Sequence, residues 1–134
     1  MDKKTINKVI EYWRCGSEQD WEVARNLFKL KHYHYTLFFC HLTLEKMIKA
    51  IVVLKTQNQS PYIHDLYTLI LKANIKITSE QKKNLEVVNT FNIRARYDNI
   101  KHVFYKKANK NYTERYLKIC DNLRIWLKKE LTKK

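Results

Sequence analysis

At 134 residues the chain reads as one domain, 1–134, with room for a single modest core. Hydrophobic residues make up 45% and aromatics 13%, which excludes a disordered chain, and one Gly with one Pro excludes a turn-rich β domain. Lys and Arg total 27 against 13 acidic residues, a net +14 that favours nucleic acid as partner, then an acidic protein, although a Lys-rich proteome gives the same balance.

The N-terminus, MDKKTINKVIEYW, is charged and amphipathic and has no apolar signal core. A first helix is expected over 4–31. Ile6, Val9, Ile10, Trp13, Trp21, Ala24, Leu27 and Phe28 recur near every 3.6 residues. Gly16 and Ser17 fall on the same stripe, where small side chains let a neighbour approach. SEQD resembles a capping box and would allow a break, but the stripe keeps its phase across the Gly, so one helix is favoured.

A second helix is expected over 33–55, with Tyr35, Phe38, Leu42, Ile48 and Val52 on a broad apolar face. Glu45 lies close to that face and needs a partner, for which Lys49 at i+4 is the local candidate. TQNQSPY is the clearest loop. IHDLYTLILKANI predicts a short third helix with Leu66, Leu69 and Ile70 inward. A fourth starts near Ser79, where Ser-x-x-Lys offers half a capping box. A last helix runs from Thr113 to Leu131, carrying Tyr116, Ile119, Cys120, Leu123, Trp126 and Leu127. The fold class is therefore all-α, an up-and-down bundle of four to five helices.

Cys15, Cys40 and Cys120 are odd in number and far apart, so buried free thiols in a reducing cytoplasm are expected rather than disulfides or zinc. His32, His34 and His41 do not complete a metal set, because 32 and 34 face different sides of a helix and no Cys or carboxylate joins them. Trp13, Trp21 and Trp126 are expected as core anchors. His64 before Asp65 is expected to cap or pack at a helix start. No apolar run approaches the roughly 20 residues that span a bilayer. A soluble, cytoplasmic protein is expected.

Four segments, in order, carry a family resemblance. They are DWEVARNLFKLKHY from Asp20, FFCHLTLEKMIKAI from Phe38, HDL from His64 and FNIRARYDN from Phe91. Together they resemble the HEPN domain, a small helical module of prokaryotic two-gene systems and CRISPR-associated nucleases. The resemblance implies a bundle of four or five helices that dimerises. Many members are metal-independent ribonucleases whose site is an Arg followed four to six residues later by a His, contributed by both subunits. Here Arg96 and His102 flank YDNIK, within that window. Catalytic members usually place a small polar residue after the Arg, where this chain has Tyr97. Members modified by a nucleotidyltransferase partner carry Tyr two residues after the His, where this chain has Phe104, with Tyr105 next.

On one uninterrupted helix, Arg96 and His102 would stand about 120° and about 9 Å apart and would converge poorly on one phosphate. A pocket needs a turn between them, for which Asp98-Asn99 is suited, or a second copy across a twofold axis. His102 could move protons to and from the RNA oxygens, Arg96 could hold the phosphate, and Asp98, four residues before His102, could orient the ring. Arg94, Lys101, Lys106, Lys107 and Lys110 could follow the phosphate backbone, and Tyr97, Tyr105 and Tyr112 could stack on unpaired bases. The chain lacks the clustered carboxylates a Mg²⁺ nuclease uses, and no metal or other cofactor is expected. Equally, Arg96 could pair with Glu45 or Asp98 and simply hold helices together, and Tyr97 and Tyr105 could be partly buried aromatics.

Two functions follow. One is a homodimeric ribonuclease, the toxin of a toxin–antitoxin pair, with RNA as substrate. The other is a non-catalytic module that docks a separate nucleotidyltransferase antitoxin or binds nucleotide. A bundle that only binds nucleic acid is a third, weaker reading.

Overall fold

A computed structural model describes residues 1–94 and 98–133, without the side chains of residues 93–94 and 98–102. The described residues form six helices and no strand: α1 (Lys3–Lys29), α2 (Tyr33–Thr56), α3 (Leu66–Lys72), α4 (Ser79–Arg94), α5 (Asp98–Lys107) and α6 (Lys110–Thr132). The all-α bundle is as expected, with one helix more. The extra element is α5, which buries Phe104 and exposes Val103 and Tyr105 on either side of it.

α1 runs unbroken through Gly16, as the phase of its stripe requires. It packs antiparallel on α2, with Trp13 beside Lys49, Gly16 beside Lys46 and Ser17 beside Thr43, and the long Lys46 side chain reaches along α1 to Asp20. The Ser17 hydroxyl donates to the Thr43 carbonyl at 2.7 Å, and Lys46 Nζ meets Asp20 at 2.8 Å. A Cβ on Gly16 would lie 3.1 Å from Lys46 Cδ, so the small residues do mark the close approach.

α2 is not the one-faced helix expected from its sequence. Leu37, Cys40, Leu44, Met47, Ile48, Ile51 and Val53 are all fully buried and cover every side, because α1, α3, α4 and α6 surround it. Tyr35, expected inward, is exposed near the N-terminal end of this helix. Leu66, Leu69 and Ile70 do point inward, as predicted. Trp21 is buried, whereas Trp13 and Trp126 are half-buried. Cys40 and Cys120 are buried free thiols that meet between α2 and α6; the hydrogen bond the Cys120 thiol donates to Cys40, together with burial, pushes it up, so it stays protonated. Cys15 is exposed, against expectation, because it lies on the outer side of α1.

Short polar side chains start most helices. Asp2, Asp65 and Asn109 each accept from the backbone N–H three residues on, at 2.8 to 2.9 Å. Asp65, not His64, is thus the cap of α3. α4 opens with a reciprocal box one residue earlier than predicted: Gln81 N–H donates to Thr78 Oγ1 at 3.0 Å, and Thr78 N–H donates to Gln81 Oε1 at 2.9 Å.

Candidate functional site

Two polar regions stand out, one inside the bundle and one at its surface. The inner one centres on Glu45. Lys49 Nζ donates to its Oε2 at 2.9 Å, the i+4 pairing the sequence suggested. Two histidines join it unannounced: His64 Nδ1 lies 3.1 Å from Oε2, and His41 Nδ1 lies 3.6 Å from Oε1. His41 Nε2 faces the His64 carbonyl oxygen at 3.2 Å; a carbonyl only accepts, so this nitrogen carries the proton. Burial pushes the His41 pKa down to about 4 against the pull of Glu45, which keeps the ring neutral. Asn89 of α4 ties the neighbouring helix start down, donating to Asp65 Oδ1 at 2.7 Å and accepting from Leu66 N–H at 3.0 Å. Lys49 Nζ also sits 5.0 Å from the Trp13 ring centroid. With Glu45, Lys49 and His41 all buried, this cluster joins α1, α2 and α3 and is a structural device.

The surface region lies where α4 meets α5. Phe91 and Phe104 are both fully buried and stack, with ring centroids 5.6 Å apart and planes inclined by 29°. On a continuous helix their positions would be separated by about 20 Å of rise. The chain therefore folds back between α4 and α5, and the two helices pack on each other. Tyr116 of α6 meets the Phe91 ring edge-on at 5.6 Å and closes the cluster.

In the sequence, the predicted site falls at this junction. Arg94 is the last residue of α4, Asp98 the first of α5, and Lys101 and His102 follow on α5. Arg96 and Tyr97 lie outside the described residues, as do the side chains of Arg94, Asp98, Lys101 and His102. Tyr105 is 62% exposed, with its ring 5.0 Å from that of His34. Phe104, at the place where modified relatives of the resembled family carry Tyr, is core. Lys106 and Lys107 are exposed, and Lys107 Nζ stands 5.5 Å from the Tyr112 ring centroid. A groove of about 470 Å³ runs beside it between α4 and α6, with Lys83, Val87 and Thr90 on one wall. The groove was not legible from spacing alone, since it depends on how α6 lies against α4. Among the described residues no group of three or more His, Cys, Asp or Glu could hold a metal ion.

A family model described as HEPN domain matches residues 10–131. The chain belongs to the HEPN family. The match takes in both polar regions of this HEPN domain and its α4–α5 fold-back. The crystal structure of TT1696 from Thermus thermophilus is similar at a TM-score of 0.77 and 12% identity, covering 90% of this chain and 97% of that one. That likeness shows the fold. No curated protein matches the sequence significantly. Among the described residues, no helix is long and apolar enough to cross a membrane.

Proposed function

We propose that this HEPN domain is a metal-independent endoribonuclease, the toxin of a toxin–antitoxin pair, in which Arg96 and His102 from two copies meet around one phosphodiester. The observation that carries the reading is the Phe91–Phe104 stack. It folds the chain back at the Arg/His segment, so the two residues need not stand on one helix. On α5, Tyr105 and Lys106 are exposed, while Phe104 is buried. HEPN domains commonly dimerise, and Val103 and Tyr105, exposed by 63% and 62%, supply apolar surface beside the segment for a twofold contact.

The chemistry is transesterification. The 2′-oxygen forms a bond to the adjacent phosphorus, and the bond from phosphorus to the 5′-oxygen breaks. His102 of one copy takes the 2′-hydroxyl proton and gives a proton to the leaving oxygen. Arg96 of the other copy holds the phosphate through two N–H donors and stabilises the charge that grows in the transition state. Asp98 orients the ring of His102. Arg94, Lys101, Lys106 and Lys107 draw in the RNA backbone, with Tyr97 and Tyr105 as base platforms.

The test is single-stranded RNA incubated with the purified chain, with and without EDTA. Cleavage that persists in EDTA and disappears in both Arg96→Ala and His102→Ala supports the assignment. Unchanged cleavage in His102→Ala would remove it.

A second reading is a non-catalytic module that docks a separate nucleotidyltransferase antitoxin or binds nucleotide. Tyr97, in place of the small residue usual after the Arg, favours it. The exposed Val103 and Tyr105 would then be the docking surface. A stoichiometric complex without ribonuclease activity would establish this reading over the first.

A further inference from the structure

The groove between α4 and α6 has the composition of a single-strand binding track. Lys83 and Thr90 stand on its α4 wall, Lys107 closes the α5 end, and Tyr112 lines the α6 side. The Tyr112 ring packs against two others, and one of them, Tyr116, lines the groove with it. Phe91 meets it at 6.4 Å with planes at 71°, and Tyr116 lies 4.9 Å away, so the ring is already ordered before any ligand arrives. A cation, Lys107 Nζ, sits 5.5 Å from its centroid. A fixed aromatic ring beside lysines is the arrangement that stacks an unpaired base and neutralises its phosphates.

The groove also points the right way. Positions 83, 87, 90 and 94 follow one another at i+4, i+3 and i+4, so they lie on one stripe of α4. That stripe ends at Arg94, the end of the helix next to the Arg/His segment. From Lys83 to Arg94 is about 16 Å along the axis, the reach of a few nucleotides. Glu86 shares this wall and opposes a polyanion, which gives the groove a testable internal contrast.

We propose that single-stranded RNA lies in this groove, with one base stacked on Tyr112 and its phosphates on Lys107 and Lys83, leading to the fold-back between α4 and α5. The proposal rests on the ribonuclease reading for the position of the scissile linkage, but RNA binding in the groove is measured independently of cleavage.

The experiment is fluorescence anisotropy with a labelled single-stranded RNA, on the His102→Ala chain so that the probe survives. Lys83→Glu with Lys107→Glu should weaken binding at least tenfold and flatten its salt dependence, since each phosphate contact on a single strand contributes a slope of about 0.7. A charge-matched control on α1, Lys3→Glu with Lys8→Glu, should weaken it less than twofold. Tyr112→Leu should weaken binding between about fivefold and a hundredfold, whereas Tyr112→Phe, which keeps the ring, should bind like the parent. Glu86→Gln should tighten it. Equal losses in the two lysine pairs would overturn the proposal and leave only a diffuse positive field. So would unchanged RNA affinity in the groove pair, including the case where that pair loses an acidic protein partner instead. If RNA binds as described but the native chain does not cleave it, the ribonuclease reading fails while the groove stands. If the native chain cleaves and the groove variants bind normally, the reverse holds.

Discussion

His41 hands its one ring proton to the carbonyl oxygen of His64, 3.2 Å away, while its other nitrogen faces Glu45 at 3.6 Å. A buried helix-to-loop contact thus depends on a neutral imidazole. Burial lowers the folded-state pKa to about 4 from an ordinary 6.5. Between those values the unfolded chain binds the proton and the folded chain does not, so stability rises with pH across that window. Full stability is expected above pH 6.5, with a loss of about 1.4 kcal/mol for each unit below it, down to about pH 4. Urea unfolding at pH 7 and pH 5 checks this. His41→Gln, whose side-chain N–H can replace the ring donor, should remove most of the difference. An unaltered pH dependence in His41→Gln would assign the acid loss to other groups.

Glu45 and Lys49 are both buried, 2.9 Å apart, and His64 shares the same carboxylate oxygen. Removing one partner strands the other charge. Glu45→Leu is expected to cost about 3–5 kcal/mol, whereas the double variant Glu45→Leu, Lys49→Met should recover most of it, because an apolar pair of similar size needs no desolvation. Denaturant titration of the four-member cycle measures the coupling. Additive losses would mean that the two charges do not depend on each other inside the bundle.

Gly16 sits in the interior of α1, where Ala would ordinarily be favoured by about 1 kcal/mol. The atom a Cβ would press, at 3.1 Å, is Lys46 Cδ, part of a flexible side chain rather than backbone. Propensity should therefore win, and Gly16→Ala should raise the melting temperature by a few degrees. Gly16→Leu needs far more room between α1 and α2 and should lower it, by an amount typical of overpacking, about 1–3 kcal/mol. A lowered melting temperature for Gly16→Ala would show that the α1–α2 seam is tighter than the Lys46 contact indicates.

The long helices were legible because each buries a stripe whose period survives along its length. Ile6 to Phe28 on α1 and Tyr116 to Leu127 on α6 are the clearest cases. α2 misled in detail because a helix surrounded by four others has no polar face from which to read an orientation. α5 is short, and its described side chains give a mixed pattern: Phe104 is buried between the exposed Val103 and Tyr105. At the start of α4, Thr78 and Ser79 are both capping residues, and the choice between them falls to Gln81, which completes the pattern with Thr78. Arg96 and His102 are expected from family spacing, which carries no geometry, and Arg96 lies outside the described residues. The packing of α4 on α5 comes from Phe91 and Phe104, thirteen residues apart in sequence, and their stacking reveals it. Likewise, His41 and His64 could not be assigned to Glu45 from the sequence, since the loop before α3 brings them together.

The most direct test separates the two copies of the Arg/His pair. Arg96→Ala and His102→Ala chains are purified, each inactive, then unfolded together, refolded and assayed on single-stranded RNA. Half of the re-formed dimers carry one chain of each kind, and each of these holds one intact Arg96–His102 pair across the twofold axis. Recovery of about a quarter of native activity is predicted. If the mixture stays as inactive as either variant while mixed dimers are demonstrably present, the two residues do not act across the interface, and the shared site is wrong.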